Sequence, residues 1–169
     1  IPFAARGAEP VYLTQMKDLL RRHRSTTVIW AHTGLGRVVT PPRTQAAVGA
    51  AERSPTHREN ILGILEDPML AHVSFDISWD EVAKYLVGSP EATQRAADVF
   101  NRFPDRFLFG TDEVAPPNQA EYVQVYEQYK PLWKALTPEA SEKIRKTNYE
   151  RTFDAARKKV RAWEKANAR

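Results

Sequence analysis

The sequence has 169 residues, a net charge of +4 from 25 Lys+Arg against 21 Asp+Glu, and no Cys. A chain of this length buries a real core, and a single domain over residues 1–169 is the expectation. Zero Cys excludes disulfide scaffolds, Cys-zinc sites, iron–sulfur clusters and thiol catalysis, and no apolar run reaches the roughly 18 residues that a membrane helix needs.

The elements follow in chain order. Pro2–Ala5 reads as a short first strand that ends in Arg6-Gly7. Pro10 fits the first turn of a helix. Leu13, Met16, Leu19 and Leu20 then recur at helical spacing, and Arg21, Arg22 and Arg24 put cations in the last turn. The β-branched run Thr26–Ala31 predicts a second strand ending at His32, where Thr33-Gly34-Leu35-Gly36 turns the chain. Residues 37–56 are irregular, broken by Pro41-Pro42 and Ser54-Pro55 around an Ala-rich piece. Thr56 caps the next helix, whose apolar positions are Ile61, Leu62, Ile64 and Leu65, and Asp67-Pro68 stops it. His72–Ile77 is a third strand. Helices follow over 79–87 and 90–103, the second starting at Pro90. Asp105 leads into a fourth strand, Arg106–Gly110, closed by Thr111-Asp112. The remainder predicts helices over 118–135 and 138–166, with an early break in the latter. The order βαβαβαβα implies an α/β fold with a parallel sheet and right-handed crossovers.

Side chains alternate along strands, so Val28, Trp30 and His32 share one face. His72, Ser74 and Asp76 share another, as do Leu108, Gly110 and Asp112. His32, Asp76 and Asp112 thus stand at the carboxyl ends of three strands, where parallel α/β folds bind their ligands. Each has a structural alternative. His32 can bond a loop carbonyl, Asp76 can accept from the Ser78 or Trp79 backbone, and Asp112 can form a turn. His72 begins its strand and faces the opposite end, His23 lies in a basic helix end, and His57 opens a helix after the long loop. The sequence carries no dinucleotide or phosphate loop and no Gly-x-Ser-x-Gly elbow. Its cations are interspersed with acids, the pattern of a solvated helix face and not of a nucleic-acid stripe. The expected partner is a small-molecule substrate, with no nucleic acid and no membrane.

Three segments carry a resemblance. Val28-Ile29-Trp30-Ala31-His32-Thr33-Gly34 resembles the sixth-strand segment of the amidohydrolase superfamily, in particular the branch that includes aminocarboxymuconate semialdehyde decarboxylase. Asp105–Asp112, ending Phe109-Gly110-Thr111-Asp112, is similar to the eighth-strand segment. Asn148-Tyr149-Glu150-Arg151-Thr152-Phe153 resembles the closing Asn-x-x-Arg-x-Phe helix. The resemblance covers nearly the whole chain. It implies the C-terminal half, strands five to eight, of a (β/α)8 TIM barrel, since a complete barrel takes about 250 residues. The Met-less Ile1 then marks a cut inside strand five.

The implied activity is that of a metal-dependent hydrolase or lyase in which activated water attacks a carbonyl-type substrate. His32 matches the sixth-strand His and Asp112 the eighth-strand Asp, both as catalytic residues and as ligands of a divalent ion, zinc first, with manganese or iron as alternatives. The family's fifth-strand His is replaced by Arg6, which cannot ligate a cation but can bind a substrate carboxylate, as can Arg37. Asp76 is expected to contact substrate or support the site. Two ligands do not hold a metal tightly, because a site wants three or four. The competing function class is a degenerate α/β barrel module acting in binding or self-association, which exposed sheet edges would favour. A third alternative is an unrelated doubly wound domain. The absence of Cys is compatible with cytoplasm or periplasm.

Overall fold

The structure, a computed structural model, describes residues 11–35 and 55–168. The expected first strand, Arg6 and Arg37 lie outside the described residues. Two compact units divide the chain at Ser74/Phe75, within one strand.

The first unit contains α1 (Val11–Arg22), β1 (Val28–Trp30), a short turn of helix over Ala31–Gly34, α2 (His57–Leu65) and the start of β2 (Val73–Asp76). Helix α1 buries Leu13 and Leu20, two turns apart on one face, while Leu19 is exposed. Helix α2 starts where the sequence predicts. Thr56 Oγ1 accepts the Glu59 N–H at 3.2 Å, and the Glu59 carboxylate accepts the Thr56 N–H at 2.7 Å. This reciprocal capping box satisfies two donors that a helix start otherwise leaves unpaired. Asp67 ends α2 and caps the turn Pro68–Leu70 by accepting the Met69 N–H at 2.8 Å. Arg21 donates to the same carboxylate at 2.7 Å. The basic end of α1 is therefore partly a tether and not only a solvated face.

The second unit holds the end of β2, then α3 (Asp80–Val87), α4 (Pro90–Arg102), β3 (Phe107–Leu108), α5 (Gln119–Gln128), α6 (Lys130–Ala135), α7 (Pro138–Glu142) and α8 (Asn148–Asn167). The strands lie in the order β1-β2-β3. Strands β2 and β3 pair in parallel, with Phe75 opposite Phe107 and Asp76 opposite Leu108. Phe75, Phe107 and Phe100 of α4 form the apolar layer behind this ladder. Phe100 and Phe107 have ring centroids 4.2 Å apart, and Phe75 and Phe107 6.0 Å.

Three sequence expectations change in form. The fourth strand is two residues long instead of five, because Phe109 donates its N–H not to a strand but to the Ile144 carbonyl at 3.0 Å. The helix expected over 118–135 breaks at Tyr129. Pro131 has no N–H to continue α5 and fits only the first turn of α6. The break expected early in 138–166 is a widened π turn over Lys143–Thr147. Helix α8 keeps its large apolar residues outward in the described structure. Tyr149, Phe153, Val160 and Trp163 are exposed, and Asn148 is the buried residue of that helix.

Asn148 explains the closing motif. Its side-chain amide donates to Pro104 O at 2.7 Å and Phe107 O at 2.9 Å, and the residue is 1% exposed. One turn on, Arg151 donates to the Asp105 carboxylate and carbonyl, each at 3.0 Å. Lys143 meets the same carboxylate at 2.9 Å. The motif thus clamps the turn that leads into β3. Asn148→Ala leaves two carbonyls without their donor and is expected to cost about 1–3 kcal/mol in urea unfolding; a loss below roughly 0.5 kcal/mol, the size of an ordinary surface change, contradicts this role.

The Asp105 carboxyl is held below its ordinary pKa, first by the Lys143 hydrogen bond and then by that of Arg151. The folded chain therefore takes up this proton less readily than the unfolded chain. The resulting stability is present above the ordinary carboxylate pKa and lost as pH falls through the depressed one. Asp105 is half exposed, so the effect is modest. Wild type is expected to exceed Asp105→Asn in stability near about pH 7, and the gap to close toward about pH 3. A gap independent of pH contradicts the assignment.

Candidate active site

Left-handed backbone follows each of the three described strands, in the turn that leaves it. After β1, His32 (φ 54°), Thr33 (φ 54°) and Gly34 (φ 70°) follow one another. After β2 comes Trp79 (φ 86°), and after β3 Asp112 (φ 53°) and Ala115 (φ 52°). Gly and Asp enter this region at little cost, but β-branched Thr33 and bulky Trp79 do not. Such residues cost on the order of 1–3 kcal/mol each, persist only where their surroundings fix them, and cluster at functional sites.

At the end of β1, strand alternation does not reach His32, because the left-handed turn begins there. The turn is closed by Leu35 N–H to His32 O at 2.8 Å and by the Thr33 hydroxyl to the same oxygen at 2.6 Å. Thr33 is buried and His32 half-buried. Gly34 is required twice over, by its φ and by its neighbour: a Cβ there would stand 3.1 Å from the Trp30 indole. His57, the first residue of α2, brings Nε2 to 3.4 Å from the Thr33 hydroxyl. Crowding around its ring lowers its pKa, opposed by a backbone hydrogen bond to Thr33. The residue is nevertheless exposed by area, and that exposure limits what the shift is worth. His57 therefore adjoins the His32 turn.

In the second unit, Asp76 ends β2 half-buried and accepts the Ser78 N–H, the structural role open to it from sequence. Gly110 passes close by. A Cβ on it would lie 3.3 Å from Ser78 Cβ and 4.0 Å from Asp76 Oδ1. Trp79 donates its N–H to Thr111 O at 3.3 Å. The structure thus brings the Asp76 turn against the Gly110-Thr111 segment that leads to Asp112. Asp112 is exposed, and its placement comes from the left-handed turn, four residues beyond the end of β3, and not from strand alternation. Buried Tyr129, which no sequence pattern singled out, donates its hydroxyl to Ile77 O and, at 3.1 Å, to Trp79 O.

The amidohydrolase family model matches residues 2–155. The chain belongs to the amidohydrolase family. No curated protein and no solved structure matches it. Membership supports a hydrolase-type activity, and amidohydrolases usually use divalent metals. Among the described residues, however, no three His, Cys, Asp or Glu side chains stand close enough together to hold one ion. The described part of this amidohydrolase chain does not by itself fit the cation.

Strain at Trp79 is directly measurable. Alanine and glycine both remove the indole, but only glycine adopts the backbone freely. Trp79→Gly is expected to be more stable than Trp79→Ala by about 1 kcal/mol. The reverse order, the ordinary one for extended or helical backbone, contradicts a strained turn.

Proposed function

We propose that this chain is the carboxyl-terminal half, strands five to eight, of a barrel hydrolase in the aminocarboxymuconate semialdehyde decarboxylase-like branch, acting on a small carbonyl-type substrate. The observation that carries the reading is the family match over residues 2–155, with the motif residues His32 and Asp112 each in a left-handed turn that follows a strand.

Asp112 is the proton acceptor. An exposed carboxylate on a fixed turn takes the proton of the attacking water. His32 polarises the substrate carbonyl or returns the proton to the leaving group. Asp76, whose carboxylate is fixed by the Ser78 N–H, orients substrate. Arg6 and Arg37 are proposed to receive an anionic substrate group. When bound, a divalent ion lowers the pKa of water so that hydroxide exists near neutrality. Zinc suits a His and carboxylate donor pair. The resemblance assigns His32 and Asp112 as ligands, and a closed set needs more than these two.

Turnover of a panel of amides, esters and lactones by the full chain tests this. Asp112→Asn and His32→Ala are each expected to lower kcat by about 10²–10⁴-fold with the unfolding midpoint preserved. Turnover unchanged in both variants contradicts the assignment and favours a binding module.

A further inference from the structure

The turn between β2 and α3 carries Asp76 at one end and strained Trp79 at the other, and its support comes from beneath. Tyr129 sits at the break between α5 and α6, where Pro131 interrupts the helix, and is 0% exposed. Its ring is fixed by packing. Phe109 meets it edge-on with centroids 5.0 Å apart, and Trp133 stacks on it at 5.6 Å. Its hydroxyl has one proton and two carbonyl acceptors, Ile77 O and Trp79 O, which flank Ser78. Burial, and next the negative charges of Asp76 and Asp80, raise its pKa above the ordinary value, so it stays a donor throughout the working pH range.

From this turn two bonds run outward. The Ser78 N–H holds the Asp76 carboxylate, and the Trp79 N–H holds Thr111, the residue before Asp112. Gly110 allows the close approach, because the space a side chain would fill is taken by Ser78. The Tyr129 hydroxyl thus reaches the carbonyls on both sides of Ser78.

We propose that Tyr129 is a positioning residue: its hydroxyl anchors the Ile77–Trp79 turn and, through Ser78 and Trp79, sets Asp76 and the Thr111-Asp112 segment relative to each other. The functional meaning rests on Asp76 and Asp112 belonging to the active site, as proposed above. The anchoring itself does not, so the two can fail separately.

Amide hydrogen exchange and carboxyl-carbon NMR on the full chain test it, comparing Tyr129→Phe with Leu132→Ala. Leu132 is equally buried in α6 but touches none of these hydrogen bonds in the described structure. Tyr129→Phe is expected to speed exchange at the Ser78 and Trp79 amides by about tenfold relative to the α4 amides of Val99 and Phe100. It should also displace the Asp76 side-chain carboxyl resonance. Leu132→Ala should speed all of these amides by a common factor and leave that resonance in place. The proposal is overturned if Tyr129→Phe behaves like Leu132→Ala, or if the Ser78 and Trp79 amides and the Asp76 resonance stay as in wild type. Loss of turnover in Asp112→Asn bears on the active-site assignment alone.

Discussion

The two-residue ladder between β2 and β3 governs the second unit. Its register places Phe75 and Phe107 inward as neighbours and leaves Asp76 as the last paired residue. A slip of one residue would send Asp76 to the apolar face that Phe75 now fills. So short a strand cannot hold that register alone. Asn148 grips its carbonyl at Phe107, Arg151 and Lys143 hold Asp105 just before it, and Phe109 bonds to Ile144 just after it. The widened turn before α8 leaves the Ile144 carbonyl available for that last bond. Because Phe109 leaves the ladder, Gly110–Asp112 is released from strand geometry and becomes a turn.

That release links fold to chemistry. In a strand, the direction of a side chain follows from alternation. In a left-handed turn it is set by a few hydrogen bonds and by what lies against the backbone. His32, Trp79 and Asp112 all belong to the second case. The cost of holding Thr33 and Trp79 there is met by Thr33's own hydroxyl bond, by Tyr129, and by glycines where a Cβ would collide. On the proposed reading, such turns hold each reacting group in place before substrate arrives.

Much of the fold was legible in the sequence. The cap at Thr56, the stop at Asp67-Pro68, the start at Pro90 and the cores of the second and third strands each follow from local chemistry, and each lies where expected. What was not legible depended on distant partners. Ile144 shortens the fourth strand, and nothing within residues 106–110 signals it. Tyr129 looks like any helical tyrosine until its acceptors some fifty positions earlier are known. The candidate residues were found through strand ends and motif likeness. The alternation argument for His32 and Asp112 named the right end of each strand but the wrong local geometry, because a single αL residue cancels the period of two.

The central proposal is that the turns after β2 and β3, which meet within the second unit, form a ligand-binding surface. Amide chemical-shift mapping of the full chain with small amides, esters and lactones tests it most directly. Binding is predicted to move the amides of Ile77–Trp79 and Gly110–Glu113 together. Ligands that move only amides of α8 and other outer helix surfaces, leaving both turns unshifted, would contradict it.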